Sequence, residues 1–360
     1  MEDKTKNIII TISFTAILIL TFFINIFVKD NEISVTERRK LTQFPEVSIS
    51  KLLNGETTGK FEDYAVDQFI ARDTFRNIKA FYSTNIYKQK DNNGYFEKNG
   101  AIYKIDYPLN EINIENSASK INEVYNTYLK DMKIYYAIIP DKNYYLENND
   151  HLKYDYNKLK QIMKNELTNL EYIDIWDDLE LEAYYKTDLH WRQEKLKKVV
   201  NTIKTSMNLG TTENNYVVCD TGDFYGTYYG QITADTMPDT MYILINDTIN
   251  NCTTYNYETK KIGKIYDDTP TQDKYDIYLS GATPIISIEN KNATSDKELL
   301  LFRDSFGSSI APLLVEDYKK ITLIDLRYIS SKILGEYIEF KDQDVLFLYS
   351  TVVLNQNILK

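Results

Sequence analysis

From Ile8 to Val28 the chain reads IIITISFTAILILTFFINIFV, 21 residues without a charge. At a rise of about 1.5 Å per residue that run crosses a hydrocarbon core of roughly 30 Å. It is too long for the apolar region of a typical cleaved signal, and no small-residue cleavage site follows it. The pattern predicts an uncleaved, single-pass membrane anchor over residues 1–30. Lys4 and Lys6 precede the run and Lys29, Arg38, Arg39 and Lys40 follow it, so the flanking charge sets no orientation. A short N-terminal tail before one span favours tail inside and the rest of the chain outside the cytoplasm, at the cell membrane.

Residues 31–110 read as a linker and a helical and hairpin approach segment. Phe61, Ala65, Phe69, Phe75, Ile78 and Phe81 or Tyr82 recur at helical spacing, and Asn92-Asn93-Gly94 ends the pattern. Tyr95–Tyr103 carries Asn99-Gly100 at its middle and predicts a hairpin. Residues 111–360 form the α/β domain. Helix 115–131 leads to strand Lys133–Pro140, helix 155–168 to strand Tyr172–Ile175, and a helix follows near 192–208. Residues 211–292 lose the helical period and predict a β-rich insertion. The alternation then resumes with strand Leu299–Phe302, helix 306–316, strand Ile321–Leu326, helix 330–339 and strand Val345–Leu348. Continuous apolar strands alternating with helices imply a parallel sheet covered on both faces.

Composition narrows the chemistry. The net charge of −11, with 42 basic against 53 acidic residues, argues against a nucleic-acid partner. Two histidines and two cysteines leave no multi-histidine or four-cysteine zinc site, and no cofactor is implied. Outside the cytoplasm Cys219 and Cys252 are placed to form a disulfide, or else remain two buried thiols.

Ligands of such a sheet bind beyond the carboxyl ends of its strands. Polar residues stand at those ends: Lys142, Arg303 with Asp304 and Ser305, Arg327 with Tyr328, and Tyr349 with Ser350. At Phe302–Ser309 a strand runs into a sharp turn and a helix begins. Ser305 there presents its hydroxyl at the top of the sheet, with helix-start N–H groups aimed at an incoming oxyanion. The plainer reading makes Asp304 or Ser305 a helix cap. His190 stands two residues after Asp188, so an extended segment points both side chains the same way. The carboxylate would hold the imidazole tautomer and leave the other ring nitrogen for the serine. Trp191 would wall the site. The alternative has Asp188 or Thr187 capping the next helix. His151, in the polar loop Asn148–His151, reads as a surface residue.

Thr187-Asp188-Leu189-His190-Trp191 resembles the signature of the DHHW protein family, with Leu189 in place of the first histidine of the name. Glu37–Leu41 with Phe44-Pro45, Phe61–Tyr64, Asp67–Asp73, Ile138–Tyr145, Asp223–Thr227, Phe302–Ser309 and Ile324–Tyr328 also match that family. The family is similar to extracytoplasmic alginate O-acetyltransferases, which carry an SGNH-hydrolase-like domain. The resemblance implies a flavodoxin-like, three-layer SGNH fold with the Asp-x-His pair preceding the serine. Ser305 would be the nucleophile, His190 its base and Asp188 the orienting acid. Arg303 replaces a glycine of the SGNH block, placing a long cation beside the nucleophile, to bind an anionic sugar or to restrict access.

The function implied is a membrane-anchored O-acyltransferase, transferring acetyl to a cell-surface or exported polysaccharide. Its acyl donor would be a membrane-bound O-acyltransferase partner. Arg303, Trp191, Arg327, Tyr328, Tyr349 and Lys142 are the candidate substrate-binding residues. Two other readings keep the fold: a carbohydrate esterase with the same triad, and a non-catalytic polysaccharide-binding component of an export complex.

Overall fold

The computed structural model describes residues 2–34, 39–130, 132–147, 151–210, 215–232, 237–267, 269, 271 and 273–360. Part of the expected segment Glu37–Leu41, the loop residues 148–150 and part of the region 211–292 lie outside the described residues. The chain divides into two compact units, Met1–Asn92 with Gly230–Thr233, and Asn93–Tyr229 with Ala234–Lys360.

The N-terminal unit is helical. Helix α1 (Glu2–Phe27) contains a stretch, Asp3–Phe27, long and apolar enough to cross a membrane, with a mean hydropathy of 2.4 and none of it buried. Helices α2 (Glu56–Asp67) and α3 (Arg72–Phe81) follow a short helical turn, Ile49–Leu53. The helical spacing read across 61–82 is therefore broken once. The first helix ends at Asp67, and Ala71, at φ 55° in the left-handed region, caps the start of the next.

In the larger unit, β1 (Tyr95–Lys98) and β2 (Ala101–Lys104) form the expected hairpin. Asn99 and Gly100 both take positive φ, 53° and 73°, as a two-residue type I′ turn requires. Ile102 N donates to Lys186 O, and Phe96 and Tyr103 pack with Leu146. These contacts tie the hairpin to the α/β unit, so the boundary falls at Asn92–Asn93 and not near residue 110.

Helix α4 (Glu111–Val124) is capped by Asn110 and leads to β3 (Ile134–Ile139). Helix α5 (Tyr156–Glu166), capped by Asp155, leads to β4 (Glu171–Tyr172). Helix α6 (Lys197–Ser206) precedes β5 (Val217–Phe224), β6 (Asp239–Ile245), β7 (Thr253–Asn256), β8 (Lys261–Gly263) and β9 (Ile285–Glu289). Strand β10 (Glu298–Arg303), helix α7 (Phe306–Ile310), β11 (Lys320–Ile324) and β12 (Asp344–Ser350) complete the set that builds the site.

Eight strands join in the order β8-β7-β9-β11-β10-β12-β3-β4. From β11 to β4 all neighbours are parallel, while β8, β7 and β9 add an antiparallel edge. Leu301 pairs with Leu323 on one side and Leu346 on the other, so β10 lies inside the parallel part. Strand β3 is buried along its whole length, which is why it reads as an unbroken apolar run rather than an alternating one. The mixed α/β fold with a parallel sheet is as the alternation predicts.

Several elements depart from their expected form. The region 211–292 is no separate insertion, because β7, β8 and β9 extend the main sheet and only β5 and β6 pair apart from it. The strand expected at Tyr172–Ile175 is the two-residue β4. Helix 306–316 stops being α-helical at Ile310 and continues as a 3₁₀ turn, Ala311–Leu314. Pro312 lacks the N–H that would continue the ladder. Residues Ser331–Glu336 form a 3₁₀ turn rather than an α-helix.

The predicted disulfide is absent. Cys219 and Cys252 are free thiols. Cys219 sits on β5 opposite Ile243, whereas Cys252 is buried in the main core just before β7, in a different sheet. Burial pushes the Cys252 thiol up to about 11.

Leu301→Ala removes a fully buried side chain from the sheet centre. It should lower stability by about 2–5 kcal/mol, read as a fall in the urea midpoint at unchanged slope.

Candidate active site

Ser305 follows β10 directly and opens α7. Its backbone is helical, with φ −60° and ψ −27°, and its side chain caps nothing. Asp304 takes the local role instead: Oδ1 accepts from Phe306 N at 3.0 Å, and Oδ2 accepts from Ser350 N at 2.8 Å across the neighbouring strand end. The cap reading thus belongs to Asp304, and the Ser305 hydroxyl is free to face His190. Ser305 Oγ lies 2.7 Å from His190 Nε2, and His190 Nδ1 lies 2.6 Å from Asp188 Oδ1. A carboxylate on one ring nitrogen leaves the other to take a hydroxyl proton.

The helix-start donors are arranged differently from expectation. Phe306 N is taken by Asp304 Oδ1, Gly307 N by Asp304 O and Ser308 N by Ser305 O. Those three N–H groups are spent within the turn and are not presented to an oxyanion.

The segment carrying the base is a closed loop. Tyr184 and Trp191 form an antiparallel bridge, Tyr185 N donates to His190 O, and Arg192 N donates to Ala183 O. The fully buried Asp188 accepts from His190 N at 2.9 Å, from Thr227 N at 2.7 Å and from Thr227 Oγ1 at 3.0 Å. Burial alone would push its carboxyl up. The His190 imidazole and the N–H groups of Thr227 and His190 outweigh that and hold it well below the usual carboxylate range. Asp239 fixes the other side of the loop, accepting from Lys186 N, Thr187 N and Thr187 Oγ1 at 2.7–2.9 Å.

Rings and hydroxyls fix the imidazole's setting. Tyr275 stacks on His190 with centroids 3.9 Å apart and planes at 12°. Ser309 Oγ accepts from Tyr275 Oη at 2.9 Å and Trp191 Nε1 at 2.8 Å, and donates to Phe306 O at 3.2 Å. That hydroxyl uses its full complement of one donor and two acceptor sites.

Most of the expected substrate-binding residues lie below the surface. Trp191 is fully buried against Phe306, so it supports the base rather than walling a cleft. Arg303 is 1% exposed and pairs with Asp325 at 3.4 Å beneath α7, where Gly307 leaves room for its stem. It is a buried ion-pair partner and is not presented to a polymer. Tyr349 is likewise buried. Lys142 is buried too, donating from Nζ to the carbonyls of Asp188, Tyr185 and Lys186 at 2.8, 3.0 and 3.2 Å. Arg327 holds Asp325 with two hydrogen bonds, at 2.9 and 2.6 Å. Tyr328, 48% exposed, is the most open of the six, and Arg327 is part-buried. Arg303 and Arg327 are thus spent on Asp325 and Lys142 on loop carbonyls, and the three do not gather into a basic pocket. His151 stacks on Phe96, half-buried, rather than standing in solvent.

Sequence reasoning assigns no role to Thr227, Asp239, Tyr275 or Ser309. Thr227 carries a signal, since Asp223–Thr227 is one of the matched motifs. Gly226 explains part of that motif. A Cβ there would meet Thr187 O at 2.2 Å and Asp188 Cβ at 2.4 Å, so only glycine lets the two segments touch. Asp239 and Tyr275 are single members of abundant residue types, and only the fold brings them to the loop.

Gly226→Ala should displace the Asp188 loop and cost about 1–3 kcal/mol, measured by urea denaturation. Lys142→Met should flatten a pH dependence of stability. Burial, opposed by Asp188, Asp239 and Asp141, brings the Lys142 ammonium down to about 7. An unfolded lysine titrates near about 10.4. Below pH 7 the amine is charged in both states and its burial is a cost. From about pH 7 to 10 the folded state releases the proton first, so stability rises. Urea midpoints at pH 6.5 and 9.5 should show that rise in the parent protein and lack it in Lys142→Met.

No family model matches the sequence, and no curated protein matches it. Among solved structures the fold is similar to that of a DHHW family protein from Eubacterium siraeum, with TM-score 0.62 and 21% identity over 74% of this chain and 95% of that one. It is also similar to Bacillus cereus PatB1, with TM-score 0.55 and 21% identity over 74% and 97%. PatB1 solved with a sulfonyl adduct gives 0.56 and 18% over 74% and 95%. The resemblance read from the motifs thus has its counterpart in the fold: this chain is built like a DHHW family protein.

Proposed function

We propose that the protein is a membrane-anchored O-acyltransferase, with its α/β domain outside the cytoplasm, that moves an acetyl group onto a polysaccharide hydroxyl. The observation that carries this reading is the hydrogen-bonded line from Asp188 through His190 to Ser305. An isolated serine is a weak nucleophile, and a base within 2.7 Å of its oxygen is what activates it.

In the first step Ser305 Oγ attacks the acyl carbonyl carbon while its proton passes to His190 Nε2. The tetrahedral intermediate expels the donor's oxygen, which takes that proton, and leaves an ester on Ser305. In the second step a sugar hydroxyl attacks the ester as His190 accepts its proton. Collapse returns the proton to Ser305 and releases the acetylated sugar. Asp188 stabilises the imidazolium formed twice in the cycle. The fold neighbours support acyl chemistry: one was solved with a sulfonyl adduct, and sulfonyl electrophiles react with activated nucleophiles.

The strand order supports an SGNH-like layering. Counted from β10 and wrapping round from β12 to β3, the parallel strands lie 2-1-3-4-5, the doubly wound order. Ser305 follows the strand beside the point where that order reverses. The acyl donor partner would be a membrane-bound O-acyltransferase, because acetyl-CoA is confined to the cytoplasm. Tyr328, exposed beyond β11, is the candidate substrate-binding aromatic left open to a sugar ring.

An aryl sulfonyl fluoride should label Ser305, detected by mass spectrometry of the peptide, and Ser305→Ala should abolish the label. Asp188→Asn should slow acyl transfer from p-nitrophenyl acetate by about 10³–10⁴-fold. In the native host Ser305→Ala should remove polysaccharide acetylation. Acetylation that persists overturns the proposal. Acetate release without transfer to oligosaccharide favours the esterase reading instead.

A further inference from the structure

Helix α3 is built inside out for a helix in water. Its inward face carries Arg76, which donates to Gly230 O at 3.3 Å and Gln231 Oε1 at 3.4 Å, and the buried Ala80. Its outward face carries Phe75 and Ile78, and Tyr82 and Ile86 continue that face through the turn that follows. The steps of three, four and four residues put them on one side, and all four are exposed, as is Phe69 just before the helix. A contiguous apolar face of this kind marks an interaction surface.

Three hydrogen bonds, one to the last turns of α1 and two to the residues just after it, fix where that surface lies relative to the span. Ile70 N donates to Asn25 Oδ1 at 2.7 Å. Tyr64 Oη donates to Asp30 Oδ1 at 3.1 Å, and Asn31 N donates to Gln68 Oε1 at 2.9 Å. Asn25 lies three residues before Val28, the last of the uncharged run, or about 4.5 Å along the helix. The corner between α2 and α3 is therefore pinned at the outer end of the apolar span, at the depth of the hydrocarbon boundary.

We infer that this face, from Phe69 through Ile86, lies in the outer interface of the bilayer that α1 spans, as a second, monotopic contact with lipid. The inference rests on reading α1 as a membrane anchor. Lipid is the occupant the geometry selects, because the bonds to Asn25 in the last turns of α1 and to Asp30 and Asn31 just after it hold the face at the level where acyl chains meet headgroups. Aromatic side chains are favoured at that level, and an apolar helix face with its polar side turned to protein suits the interface plane. With the span and this face both engaged, the N-terminal unit would be held against the membrane rather than swing from a single tether.

The test uses the full chain in phosphatidylcholine–phosphatidylglycerol vesicles. Phe69→Trp and Phe75→Trp add one emitter each at exposed positions, while the native Trp176 and Trp191 are buried and give a constant background. Acyl chains brominated near the headgroup should quench the added emission of both variants at least twofold, with chains brominated deeper quenching less. Ile17→Trp reports on α1 separately and should be quenched by the deep bromines. If Ile17→Trp is quenched while both phenylalanine variants are not and remain open to aqueous iodide, the lipid contact is refuted and the face belongs to a protein partner or a second copy. If Ile17→Trp is also unquenched, the anchor reading fails and the lipid contact with it.

Discussion

A carboxylate with no access to water has to be answered by donors on every side, and Asp188 sets that demand for the larger unit. Its two oxygens take His190, by ring and by backbone, and Thr227, by backbone and by hydroxyl. Removing one of these leaves a buried charge under-satisfied, which costs more than an ordinary hydrogen bond is worth. Thr227 can reach only because Gly226 has no side chain. The loop can hold its shape only because Lys142 gathers three of its carbonyls and Asp239 its amides. The His190 ring is thus oriented by groups drawn from four separate stretches of chain. Its partner Ser305 comes from a fifth, carried by the buried strand β10.

Much of this is legible in the order of the residues alone. The strands of the parallel sheet are buried on both faces, and that burial writes itself into the sequence as unbroken apolar runs. The pairing of Asp188 with His190 shows as a spacing of two, and Ser305 as a strand-to-helix turn. What the sequence conceals is depth. Arg303, Lys142 and Tyr349 follow strand ends, where polar residues ordinarily face a ligand. In the fold they turn inward to Asp325, to loop carbonyls and to the core. A cation beside a candidate nucleophile reads as a recognition element until its exposure is known. The cysteines mislead for a related reason: compartment and spacing permit a bond that strand placement forbids. Edge pairing is hidden as well, since short strands rich in Thr, Asn and Tyr look the same whether they form a separate module or, as β7 to β9 do, the rim of the main sheet.

The two units place their apolar residues differently. The larger one buries its apolar residues in a sheet and spends its polar ones on the loop that carries the base. The smaller one leaves large apolar side chains outside and turns small and polar ones inward, an arrangement that suits a boundary between water and lipid. A single chain thereby combines a scaffold that holds Asp188, His190 and Ser305 in line with a module that presents an apolar face.

Strand β10 stands between β11 and β12, yet it is among the last parts of the domain to be made. During synthesis, β3, β4 and the whole loop around His190 emerge first and wait for a central strand. Until β10 and then β12 arrive, Ser305 has no fixed position and the sheet has an open edge. Such long-range closure is slow compared with local helix formation. The order of synthesis therefore sets an order of assembly: the loop that carries His190 is made more than a hundred residues before Ser305, and the line from Asp188 to Ser305 closes only when nearly all of the chain is present.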